Sequence, residues 1–154
     1  MKHSLLVVLS ASLIFTGCAS VELASPVESQ NAKEFKTPQN GNAGLYVYRN
    51  SFAGKALKKD VWVDGKCLGE SAPDTFFYTE VSGNQKHKIE TESEFSPNMI
   101  ELHFEAGQNY FVRQFIKIGA FVGGADLEQV TVQQGQADIA TLALAKSGNC
   151  STPR

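Results

Sequence analysis

Asp60-Val61-Trp62-Val63-Asp64-Gly65-Lys66-Cys67-Leu68-Gly69 is the stretch whose reading decides the fold. Its centre, Asp64-Gly65, is a dipeptide that accepts the two positive φ angles of a tight hairpin turn. β-Branched and aromatic residues precede it and an apolar residue follows, so the stretch reads as strand, turn, strand. Outward from this hairpin the pattern keeps a period of two with frequent turn punctuation. Leu45-Tyr46-Val47-Tyr48-Arg49 reads as an earlier strand, and residues 75–81, 86–92, 98–104 and 109–118 as four later ones. Ser82-Gly83-Asn84, Ser96-Pro97 and Ala106-Gly107-Gln108 separate them. Within residues 98–104, Ile100, Leu102 and Phe104 alternate with Glu101 and His103, which predicts one core-facing and one wet side. Leu127-Glu128-Gln129-Val130 closes the sheet as a short strand, giving six or seven strands. From Gln133 to Lys146 the period changes to three and four, which with the alanine content predicts one helix ending at Ser147-Gly148. The expected fold is all-β: a small antiparallel β-sandwich, immunoglobulin-like or prealbumin-like, with one C-terminal α-helix.

The N-terminus carries a different signal. Lys2 and His3 precede an apolar run ending Leu13-Ile14-Phe15-Thr16-Gly17-Cys18, which has the parts of a secretory signal. The run is too short for a permanent span, which needs about 20 residues. It resembles the lipobox of bacterial lipoproteins, with Phe15 departing from the usual aliphatic residue. That resemblance implies a diacylglycerol on Cys18, cleavage before it and acylation of the new amine. The alternative is an ordinary cleavable signal cut near Ala19 or Ser20. The same resemblance, with Ala19 where an aspartate would favour inner-membrane retention, implies the outer membrane, facing the periplasm, over the inner membrane. The expected organisation is signal peptide 1–17, lipidated flexible tether 18–43, sandwich with helix 44–148 and tail 149–154. A flexible tether of that length spans about 25 to 30 Å. A short docked helix within residues 21–36 is the other reading.

Loss of residues 1–17 removes Lys2 and no acid, so 14 basic side chains become 13 against 16 acidic, a formal charge of −3. Such a balance argues against a nucleic-acid partner, which needs a basic excess. With Cys18 assigned to lipid, Cys67 and Cys150 form an even pair in an oxidising compartment. A bridge between them would close a long loop, worth up to about 4 to 5 kcal/mol; two free thiols are the alternative. No Cys-x-x-Cys pair suggests redox catalysis.

No metal or cofactor is expected. His87, between two lysines, and His103 read as solvated surface histidines, and metal sites need several converging ligands. Glu90, Glu92 and Glu94 alternate along one strand and read as its wet side, with a row of cation-binding carboxylates as the functional alternative. Gly119-Ala120-Phe121-Val122-Gly123-Gly124 lacks the Gly-Lys-Ser/Thr ending of a phosphate loop. It reads as a bulge or wide turn, or as an exposed tip on which Phe121 and Val122 contact a partner.

The order of the runs Gly44–Arg49, Asp60–Lys66, Thr75–Val81 and Ala106–Gln114 resembles the bacterial lipoproteins of domain-of-unknown-function family 2846. More loosely, Val63-Asp64-Gly65-Lys66 with Gly69 is similar to the hairpin of PEGA-type β-domains. The resemblance implies a lipid-anchored envelope β-domain and brings no catalytic residues. The expected role is non-enzymatic binding or scaffolding, with the membrane as partner through the lipid and an envelope protein or glycan as the second. The competing readings are an envelope hydrolase using acids such as Glu80, Asp126 or Glu128 across a cleft, and an accessory lipoprotein of a secretion or transport complex.

Overall fold

A hairpin with Asp64 and Gly65 at φ +51° and +74° joins strands β2 (Lys59–Val63) and β3 (Lys66–Ser71), as the Asp-Gly dipeptide demands. The computed structural model describes residues 19–51, 53–93, 96–117 and 123–151. β5 (Gln85–Thr91) and β6 (Asn98–Phe104) complete a four-stranded sheet of order β3-β2-β5-β6. β1 (Asn42–Arg49), β4 (Thr75–Ser82), β7 (Asn109–Lys117), β8 (Gly124–Val130) and β9 (Ala143–Leu144) form a second sheet of order β8-β7-β1-β4-β9. The two sheets pack as an all-β sandwich. The five-stranded sheet is mixed: β1 runs parallel to β7, and β4 parallel to β9. The purely antiparallel expectation missed this because parallel neighbours are set by distant connections, which local turn signals do not report.

β1 explains the layering. Leu45 and Val47 point into the core between the sheets with Val61, Phe77, Ile89, Phe104 and Val112. Tyr46 and Tyr48 point to the other face, where they meet Phe76, Phe111, Ile139 and Leu142. A strand covered on both sides reads as a continuous apolar run, and Gly44–Arg49 is fully buried. In β6 the expected alternation holds: Ile100, Leu102 and Phe104 turn inward while Glu101 and His103 are exposed.

The second face is covered by two helices. α1 (Pro26–Ala32) starts with a capping box in which Ser25 and Glu28 exchange hydrogen bonds, and Pro26 opens its first turn. Tyr46 Oη donates to Ala32 O (2.9 Å), and Phe35 packs edge-on against Tyr46 and Phe111. The expectation of a flexible tether over residues 18–43 is corrected here, since residues 19–43 lie on the domain through these contacts and main-chain bonds to residues 144 and 146. α2 (Val132–Ile139) presents Gly135 to Phe111 so closely that a Cβ would stand 2.3 Å from the ring. It is shorter than the expected helix over residues 133–146. After Ala140 the chain turns, and Ala143 N–H donates to Asp74 O (3.1 Å). The main-chain partners on the edge of β4 outweigh alanine's helix preference.

Candidate functional site

The last strand of the five-stranded sheet is two residues long, and its shortness opens a cleft. β9 pairs with β4 only at Thr75 and Phe76. Ala145 N–H still donates to Phe76 O (2.8 Å), so Phe76 turns its main-chain groups outward. Strand alternation turns those of Tyr78, Glu80 and Ser82 the same way. Ser82 O accepts from His87 Nε2 (2.8 Å), while Tyr78 and Glu80 have no outward main-chain partner among the described residues. The facing wall is the edge of β3. Between them lies a cavity of about 480 Å³ lined by residues including Asp64, Lys66, Thr79, Glu80 and His87. The C-terminal segment covers the rest of this seam. Gly148 N–H donates to Leu68 O (2.9 Å), Ser151 bonds the buried Asp60 carboxylate, and Cys150 is joined to Cys67 in a disulfide with Cα atoms 6.0 Å apart.

His87 forms the cleft's floor. Its alternation partners Ile89 and Thr91 face the core, and the same parity buries the imidazole at 5% exposure over Phe104. Nδ1 lies 2.6 Å from Asp64 Oδ2 and Nε2 faces the Ser82 carbonyl. Nδ1 thus faces a carboxylate, whereas Nε2 faces an acceptor, the Ser82 carbonyl, and at 3.4 Å a donor, the Gln85 amide nitrogen. Lys88 N–H donates to Asp64 Oδ1 (2.9 Å). Partial burial pushes the Asp64 carboxyl up, but the bonds from His87 and Lys88 outweigh it and hold the group below its ordinary range. On the rim, Asn42 Nδ2 donates to Glu80 Oε2 (2.9 Å) and Tyr78 Oη to Glu80 Oε1 (3.1 Å). Burial, reinforced by Glu80, pushes the Tyr78 phenol up to about 12. The arrangement presents main-chain donors and acceptors along one strand edge beside a polar cleft. His87 has no hydroxyl or thiol partner among the described residues, so no nucleophile is paired with it.

These residues fall inside a matched family span. The model of the family described as a protein of unknown function, DUF2846, matches residues 39–125. A protein of Haemophilus influenzae carrying the name uncharacterized protein is 51% identical over 140 residues, 91% of this chain and 83% of its own. The chain belongs to the DUF2846 family. The family description names no catalytic activity. In this DUF2846 chain the matched span holds Asp64, Glu80 and His87 and both cleft-forming strands, whereas β9 and Cys150 lie beyond it.

The DUF2846 fold separates the acids proposed from sequence. Glu80 is on the cleft, whereas Asp126 and Glu128 are on β8, at the far edge of the same sheet. There Asp126 pairs with Lys117 (2.9 Å) and Glu128 with Arg113. His87 is buried rather than solvated, because the parity of β5 turns it inward against the expectation drawn from its lysine neighbours. His103 is on the exposed side. The glutamate row is not a free wet face: Glu90 is buried and pairs with Lys88 (3.0 Å), and Glu92 pairs with Lys59 (3.4 Å). Among the described residues no three His, Cys, Asp or Glu side chains form a metal-binding group. Cys18, Glu94, Phe121 and Val122 lie outside the described residues.

Proposed function

We propose that this DUF2846 protein is a lipid-anchored envelope protein whose sandwich faces the periplasm and binds an extended segment of a partner protein along the open edge of β4. The binding reading is carried by one observation, the outward main-chain groups of Tyr78 and Glu80 beside a cavity of about 480 Å³. An added strand satisfies such groups, and side-chain positions around the edge select its sequence. The address rests on Leu13–Cys18, and the Cys67–Cys150 bridge suits an oxidising compartment. Scaffolding within a secretion or transport complex is compatible with this role. The hydrolase alternative gains no support from the cleft: a general acid needs a proton to give at working pH, Asp64 is held below its ordinary range, and Glu80 is engaged by Asn42 and Tyr78.

Two experiments test the proposal separately. Cys18→Ser removes acyl labelling and membrane fractionation if the anchor is right; a variant that still labels with acyl chains contradicts it. For the cleft, a photocrosslinker at Thr79 captures the partner in cells, and Glu80→Pro abolishes capture. Proline there removes an outward N–H while leaving the ladder from β4 to β1 intact. Capture that survives in a folded Glu80→Pro protein rules out strand addition.

A further inference from the structure

The first described residues leave no slack. Ala19 N–H donates to Lys55 O (2.9 Å), Lys146 N–H donates to Glu22 O (2.9 Å), Leu23 bridges Ala145, and Ala24 N–H donates to Leu144 O (2.9 Å). Val21 packs against the core between the sheets. Ala19 is thereby held at the loop that carries Lys55, and consecutive Cα atoms are 3.8 Å apart. That loop, residues 53–58, connects the end of β1 to the start of β2. Arg49 holds it from inside: Nη1 donates to Leu57 O (2.7 Å) and Nη2 to Gly54 O (2.5 Å). Gly54, at φ +68°, sits so close to Ile116 that a Cβ would stand 2.8 Å from it. Ala53, Lys55, Ala56 and Lys58 are exposed; Lys58 pairs with Glu70 of β3, and Lys59, the first residue of β2, is buried and pairs with Glu92.

Resting on the anchoring reading above, we propose that this loop end of the sandwich lies on the phospholipid headgroups of the membrane that holds the Cys18 lipid. A headgroup layer is roughly 5 to 7 Å thick on each side of the hydrocarbon, and the diacylglycerol sits at its inner boundary. A domain hydrogen-bonded one residue from the lipidated cysteine has no chain with which to stand clear of it. The cleft is at the other end. Asn42, Asp64 and Ser82 lie there, a strand length from Arg49, Lys59 and Thr75, which is about 23 Å for the eight residues of β1. The membrane contact therefore orients the sandwich with the cleft opening away from the lipid.

The test uses the full chain, acylated in cells and reconstituted in vesicles of phosphatidylethanolamine and phosphatidylglycerol containing brominated acyl chains. Ala56→Trp and Lys58→Trp report on the loop end and Lys66→Trp on the cleft end, each read against the background of buried Trp62. At least a twofold loss of the added emission is expected for either loop-end reporter and none for Lys66→Trp. Inserting ten Gly-Ser residues between Cys18 and Ala19 restores a span of about 17 Å and should relieve the quenching. Absence of quenching at both loop-end reporters in protein shown by mass to be acylated, equal quenching at both ends, or quenching that survives the insertion overturns the orientation. Absence of acyl mass on Cys18 in the unmodified chain instead removes the anchoring reading, and the orientation with it.

Discussion

At one end of the sandwich a fully buried arginine donates from both terminal nitrogens to main-chain carbonyls while its Nε has no partner among the described residues, and at the other a buried histidine faces a carboxylate and one carbonyl. Both side chains fix a connection between strands: Arg49 the loop to β2, His87 the Asp64-Gly65 turn and the end of β4. They differ in what they leave for anything else. The guanidinium is enclosed, and burial, partly offset by Asp74, pushes its ionisation below the ordinary value. Its work is to hold loop 53–58 rigid. The imidazole floors an open cleft, beside a strand edge whose main-chain groups are unspent. One end is built to be fixed and the other to be occupied.

The largest effect expected on this contrast comes from the disulfide. Replacing Cys67 and Cys150 by serine frees a loop of sequence separation 83 and should cost about 4 kcal/mol in the chain-entropy model, read as a lower urea midpoint. That cost is global, since it arises in the unfolded chain; locally, amide exchange should quicken along the tail at Gly148 and Ser151, which are bonded to Leu68 and Asp60. Arg49→Leu should cost about 3 kcal/mol, because charge-assisted bonds to several carbonyls go together. It should accelerate exchange at residues 54–57 and leave the His87 ring resonances in place. Arg49→Lys should not rescue it, since an ammonium lacks the planar fork.

His87→Phe keeps the packing on Phe104 but removes the ring's polar contacts to Asp64 Oδ2 and Ser82 O, and should cost about 2 kcal/mol. Its pH counterpart is Asp64. A carboxyl held below its ordinary value contributes stability that is fully present above about pH 4 and is lost as pH falls through the lower folded value. Urea unfolding between pH 6 and pH 2 should show that acid limb, and Asp64→Asn should flatten it; an unchanged limb would mean that other carboxylates carry it. The smallest effect is expected for Lys58→Ala, which breaks an exposed pair with Glu70 and should change stability by less than about 0.5 kcal/mol.

Much of the fold is legible because its signals are local. Asp64-Gly65 announces its turn, and β6 announces its wet side by alternation. Ser25-Pro26-Val27-Glu28 is likewise a readable helix start, although the surrounding Ser, Asn and Gln residues read as a tether. The docking of that segment depends on Tyr46 and Phe111, which meet Phe35 only after β1 and β7 have paired. The cleft is less legible still. It exists because β9 stops after two residues and the tail crosses to β3, a property of strand order that no window of sequence carries. The buried His87 had a signal in the parity of His87, Ile89 and Thr91, but its flanking lysines suggested solvent. Glu80 reads from sequence as a candidate acid, yet the carboxylate bonded to His87 is Asp64, whose sequence signal is that of a turn residue.

The two-ended account is tested most directly by hydrogen–deuterium exchange on the acylated chain in vesicles, compared with the same domain released in detergent-free solution. Residues 53–58 should gain protection on the membrane, while residues 78–82 and the Asp64-Gly65 turn exchange as they do in solution. Protection at the cleft end, or none at residues 53–58, would contradict it.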